Sequence, residues 1–100
     1  MMTKRDFLEY VEAICKRPKM YTPNGSFYEV VSFLEGYSTG ANVGEFAYHS
    51  AFTPFMKWTI KKFGIQEIII DWKEFRELFS SEQDALNNLP ILYKEYVEQS

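Results

Sequence analysis

Little in this 100-residue chain is equipped to attack a bond or hold a metal. It has one cysteine, Cys15, and one histidine, His49. A single cysteine excludes an internal disulfide, and one Cys and one His far apart in sequence are a poor start for a metal site. A nucleophile–base pair would have to be built around His49, in a segment with no clear helical pattern. Glycine is scarce. Gly36, Gly40 and Gly44 are evenly spaced, but no Gly-Lys-Ser/Thr follows them, so the phosphate-cradling loop is missing. No apolar run approaches the ~18 residues of a membrane span, and MMTKRDFLEY lacks the apolar stretch of a signal peptide. The expectation is a soluble, cytoplasmic protein with no membrane partner. Basic surplus is absent too. The net charge of −3 and pI near 5.1 argue against a nucleic-acid partner.

Aromatic residues, by contrast, are abundant: nine Phe, seven Tyr and two Trp, 18% of the chain. Some should fill a core, and the surplus suits a binding face, since Tyr and Trp tolerate half-wet surfaces. Charge is uneven. Residues 1–25 carry five bases and three acids, residues 57–63 add Lys57, Lys61 and Lys62, and residues 64–100 hold eight acids against three bases. An acidic C-terminal third could attract a basic partner.

Helix signals recur along the chain. Thr3 with Asp6 resembles a capping box, and Phe7, Leu8, Val11, Ile14 and Cys15 follow at helical spacing up to Lys16. Cys15 lies on that apolar stripe and should be buried and inert. Arg17-Pro18 stops the helix, and Thr22-Pro23-Asn24-Gly25 makes a turn. Ser26 with Glu29 opens a second helix over about 27–38, with Phe27, Val30, Val31, Leu34 and Tyr37 on one face and Phe33 widening it. Residues 45–52 could form a short helix with Tyr48 inward. Thr53-Pro54 reads as N-cap and first helical position, followed by a buried stripe of Phe55, Met56, Thr59, Ile60 and Phe63. Gly64 stops it. Residues 65–70 look like an extended link. Asp71 with Glu74 and Ser81 with Asp84 open the last two helices, and the final stripe keeps its phase through Pro90 as a kinked helix or two shorter ones. The reading is a single all-α domain over residues 1–100, a compact bundle of five or six short amphipathic helices.

Carboxylate pairs can hydrolyse glycosides, but here the acids sit at helix starts and on exposed faces, where capping and solubility account for them. The chain is therefore not expected to be an enzyme, and no cofactor is expected. Between the first two helices, Arg17-Pro18-Lys19-Met20-Tyr21 reads as a rigid corner. Its Arg17 fork suits a carboxylate, and Met20 and Tyr21 are expected to fold back onto the core.

Arg-Pro-x-Met-Tyr at residues 17–21, Ser26-Phe27, the F-L-x-G-Y of residues 33–37, and Phe52, Phe55, Trp58 and Phe63-Gly64-Ile65 come in that order. Trp72 follows, and then a helix bearing Glu82, Ala85, Leu86, Tyr93 and Tyr96. The pattern resembles small bacterial immunity proteins of contact-dependent inhibition and polymorphic toxin systems. This chain departs from it at Lys19, where that family prefers glycine. The resemblance implies a protein that binds a cognate toxin, with a basic nuclease domain such as an RNase as the partner, and covers its active site. Acids can imitate the phosphates such a site holds. The candidate toxin-binding residues are Glu35, Asp71, Glu74, Glu77, Glu82 and Asp84, with Tyr37, Tyr48 and Trp72 as anchors. The alternative is an interaction or regulatory module without a toxin partner. A weaker reading places nucleic acid on the Lys57, Lys61, Lys62 face.

Overall fold

Thr3 opens the first helix through the reciprocal bonds its sequence predicts. The Asp6 amide donates to Thr3 Oγ1 at 3.1 Å, and the Thr3 amide donates to Asp6 Oδ2 at 3.3 Å. The helix, α1, spans Lys4–Lys16 in the computed structural model, which describes residues 3–40, 52–67 and 70–99. Its five striped residues, Phe7, Leu8, Val11, Ile14 and Cys15, are all buried. Each large apolar side chain so buried contributes roughly 1.5–3 kcal/mol, against about 1 kcal/mol for a cap. Burial therefore holds α1 in place, and the cap sets where it begins.

A single 3-10 turn, Pro18–Met20, follows, and α2 spans Phe27–Gly40, two residues beyond the expected end. The Ser26–Glu29 box is formed: Glu29 N donates to Ser26 Oγ at 3.2 Å, and Ser26 N to Glu29 Oε1 at 3.1 Å. Helix α3 spans Phe52–Phe63, so Thr53 lies inside the helix and is not its N-cap. Pro54 falls in the first turn, where amides have no intrahelical acceptor and its missing N–H costs nothing. Gly64 ends α3 at φ 63. Ile65 N donates to Ile60 O at 3.0 Å and Gly64 N to Lys61 O at 3.4 Å, the paired bonds of a Schellman stop. Helix α4 is short, Trp72–Glu77, and is capped by Asp71, whose Oδ1 accepts the Glu74 amide at 3.1 Å.

Helix α5, Glu82–Gln99, runs unbroken through Pro90. The proline costs roughly 3 kcal/mol in a helix interior. Seven buried side chains on the same helix outweigh it, from Ala85 to Val97. Helix α5 packs antiparallel along α1: Lys4 Nζ sits 5.2 Å from the Tyr96 ring centroid at one end, and Cys15 and Lys16 flank Leu86 and Asn87 at the other. The fold is all-α, with no strand among the described residues. The radius of gyration, 12.7 Å, matches the ~13 Å of a compact chain of this length.

The core is aromatic. Tyr93 lies at its centre, its ring centroid 5.3 Å from that of Phe55, 5.5 Å from Phe52 and 5.7 Å from Phe7. Its hydroxyl is buried without a partner among the described residues, and burial pushes the phenol above its ordinary range. The link before α4 sends Ile70 inward, 4% exposed.

Three apolar expectations are corrected. Met20 and Tyr21 do not fold back; they are 68% and 43% exposed. Thr22 takes the inward position of that corner. Its Oγ1 donates to Pro18 O at 2.9 Å and accepts the Gly25 amide at 2.9 Å. Phe33 leans on Tyr21 at 6.3 Å, half in solvent. Phe63, on the last turn of α3, is likewise half-exposed, because the helix ends beyond the edge of the core.

Candidate functional site

The structure brings Glu35, Asp71 and Trp72 together from two distant parts of the sequence. Glu35 comes from the C-terminal half of α2. Asp71 and Trp72 begin α4. The Trp72 indole N–H donates to Glu35 Oε1 at 3.1 Å, which ties the two elements. Trp72 also packs edge-on against Phe52, with centroids 4.9 Å apart, so its ring is held from the α3 side as well.

These residues rim a cleft of about 440 Å³, within the size range of ligand and side-chain pockets. Its apolar walls are Phe52, Met56, Ile60 and Ile70, with Thr53 and Lys57 at the edge. Among the described residues the rim carries two carboxylates, Glu35 and Asp71, and one ammonium, Lys57, an acidic balance. Such a cleft can take a long cationic side chain, with its methylenes along the apolar wall and its head group at the carboxylates. The stripe of Met56 and Ile60, four apart on α3, was visible in the sequence. That it would face Glu35 and Asp71 was not.

The other candidates lie elsewhere. Tyr37 half-packs on the core beside Tyr10, with centroids 4.8 Å apart. A hydrogen bond with the Tyr10 hydroxyl, reinforced by desolvation, holds the Tyr37 phenol above its usual value. Tyr48 and His49 lie outside the described residues. Glu74 is partly covered beside its capping partner Asp71, and Glu77 is exposed on α4.

Glu82 and Asp84 serve the fold. Glu82 Oε1 accepts the Phe27 amide at 2.7 Å, so the first residue of α5 binds an unsatisfied N–H at the start of α2. Asp84 Oδ2 accepts the Ser80 hydroxyl at 2.6 Å, and the Asp84 amide donates to Ser81 Oγ at 3.1 Å. No local signal marks the Glu82 contact, because the two residues stand 55 positions apart.

Lys62 is paired with Glu95 at 2.6 Å, the one ion pair among the described residues, and its Nζ lies 5.5 Å from the Trp58 ring centroid. The lysine face of α3 is thus partly neutralised, which weakens it as a phosphate track. Burial pushes the Cys15 thiol up to about 12, so it is a poor nucleophile at neutral pH. Among the described residues no cluster of His, Cys, Asp and Glu could hold a metal ion, and no helix is long and apolar enough to cross a membrane.

Fold and site together define an all-α protein with an apolar cleft rimmed by carboxylates. Compared with protein-family models, curated proteins and solved structures, the chain matches none.

Proposed function

We propose that this chain is an immunity protein that binds a cognate bacterial toxin in the cytoplasm and covers its active site. It acts by occupancy and performs no reaction of its own. The observation that supports the reading best is the cleft: Glu35, Asp71 and Trp72, three residues that the resemblance to immunity proteins puts forward, share one acidic, apolar-floored concavity. A nuclease active site is basic because it holds phosphate. A lysine or arginine from such a site would find a carboxylate and an apolar wall here. Glu77, exposed on α4, adds negative field beside it.

The test is co-expression with a candidate toxin encoded by a neighbouring gene, followed by isolation of the complex. Growth should be restored, and the purified pair should co-elute as one species. Failure of both rescue and complex formation sinks the proposal. Within the complex, Glu77→Lys should slow association several-fold at low salt, with a smaller effect at high salt. Glu82 is a poor choice for the same experiment. Reversing it strips the Phe27 amide of its acceptor and disturbs the fold.

A further inference from the structure

We infer that the Arg17–Tyr21 corner of one copy of this chain seats in the carboxylate-rimmed cleft of a second copy, head to tail. The corner is basic and apolar at once. Lys16, Arg17 and Lys19 are exposed, and Met20 projects beyond them at 68% exposure with Tyr21 beside it. Glu29, the acid on the far side of the turn, accepts from Asn24 and Ser26, and these bonds, the Ser26 amide foremost, hold its carboxyl below the ordinary range, so it stays ionised and offsets one of the three cations.

The corner is also preformed. Met20 N donates to Arg17 O at 3.1 Å, Tyr21 N and Thr22 N donate to Pro18 O at 3.1 and 3.0 Å, and Thr22 Oγ1 closes the loop onto Gly25. Docking a loop already fixed in this way has little ordering entropy to overcome.

The cleft is the counterpart, with apolar walls and, among its described residues, two carboxylates and one ammonium, Lys57. A corner that is positive on balance, three cations against Glu29, meets a rim that is negative on balance, and a protruding methionine meets an apolar hollow. A chain cannot fill its own cleft. Phe33, which carries Tyr21, and Glu35, on the cleft, are two positions apart on α2 and so point to opposite sides, at about 100° per residue. Because the two surfaces differ, the contact is heterologous and can add copies in series. One corner in one cleft is a small interface of the transient class. Association should therefore be weak, concentration-dependent and sensitive to salt. The cleft is shared with the proposed toxin contact, but the assembly is measured on this chain alone, so each idea can fail without the other.

Sedimentation velocity on the purified chain, from micromolar to millimolar at low salt, tests the inference. The weight-average mass should climb with concentration and fall back in high salt. Met20→Glu removes the corner, and Thr53→Arg places a cation and bulk at the cleft. Both sites are exposed, and circular dichroism should report unchanged helix. Each variant alone should associate at least tenfold more weakly than the wild type. Mixed in equal amounts, they should form pairs and stop there, because only one corner and one cleft remain intact. Arg17→Glu is a second corner variant and should behave as Met20→Glu does. A wild-type chain that stays monomeric at millimolar concentration overturns the proposal. So does a Met20→Glu variant that associates as the wild type does, or a mixture that remains monomeric while the wild type assembles.

Discussion

Two connections in this protein solve the same problem by opposite means. The corner between α1 and α2 is held by hydrogen bonds through Pro18, Thr22 and Gly25, and it leaves its largest apolar side chains, Met20 and Tyr21, in water. In the link between α3 and α4, the Schellman bonds at Gly64 and Ile65 end the helix, and Ile70 is buried in the core. The difference shows that a loop whose polar groups are satisfied among themselves does not need its apolar side chains inside. Where a link sends a large aliphatic side chain into the core, as at Ile70, burial helps to fix its path.

The comparison breaks most visibly at matched truncations. Ile70→Ala should destabilise by roughly 2–4 kcal/mol, as a buried aliphatic residue reduced to alanine does. Met20→Ala, at an exposed site, should stay within about 0.5 kcal/mol of wild type. Denaturant midpoints on the two variants measure the contrast, and equal losses would mean that Met20 is packed after all.

Thr22→Val comes next. It keeps the volume but removes both the hydroxyl donor to Pro18 O and the acceptor for Gly25 N, so about 1–3 kcal/mol should be lost. If the corner were held by packing, the change would be silent in the same denaturation experiment.

The two positive-φ glycines sharpen the comparison further. Gly25 and Gly64 both sit in the left-handed region, at φ 70 and φ 63. A Cβ at Gly25 would lie 2.8 Å from Lys19 Cγ, whereas one at Gly64 meets nothing within 4 Å. Both alanine variants carry the backbone cost of roughly 1 kcal/mol. Gly25→Ala should lose more, since the corner is crowded where the α3 stop is open. Thermal melts showing the reverse order would put the tighter loop at the wrong end.

The smallest effect is confined to alkaline pH. Cys15, on the last turn of α1 before the corner, has its thiol raised from 9.0 to about 12 by burial. Its contribution is fully present below about pH 9 and is lost as pH rises through about 12, because the unfolded chain releases the proton first. Replacing it by alanine should flatten that part of the stability–pH curve. An identical alkaline slope in the variant would assign the decline to other groups, Tyr93 among them.

Much of the helical frame was legible before any coordinates. Thr3 with Asp6, Ser26 with Glu29, Asp71 with Glu74 and Ser81 with Asp84 each announce a helix start within four residues, and the caps form where these pairs stand. Gly64 announced a stop. Pro54 misled by two residues, because proline is equally at home anywhere in a first turn. The candidate site was less legible. Glu82 looked like a free surface acid and proves to hold the start of α2, and Met20 and Tyr21 looked like core. Neither error could be repaired from the neighbouring residues alone.

The residues alone specified where α1, α2, α4 and α5 begin and most of the stripe that each helix turns inward, because caps and helical periodicity act within one or two turns of chain. Tertiary structure alone decided that Glu35 would meet Trp72, that Glu82 would reach Phe27, and that Thr22 rather than Met20 would take the inside of the corner. Those outcomes depend on which elements pack side by side, and a carboxylate or a methionine carries no local sign of the neighbour that will cover it or leave it in water.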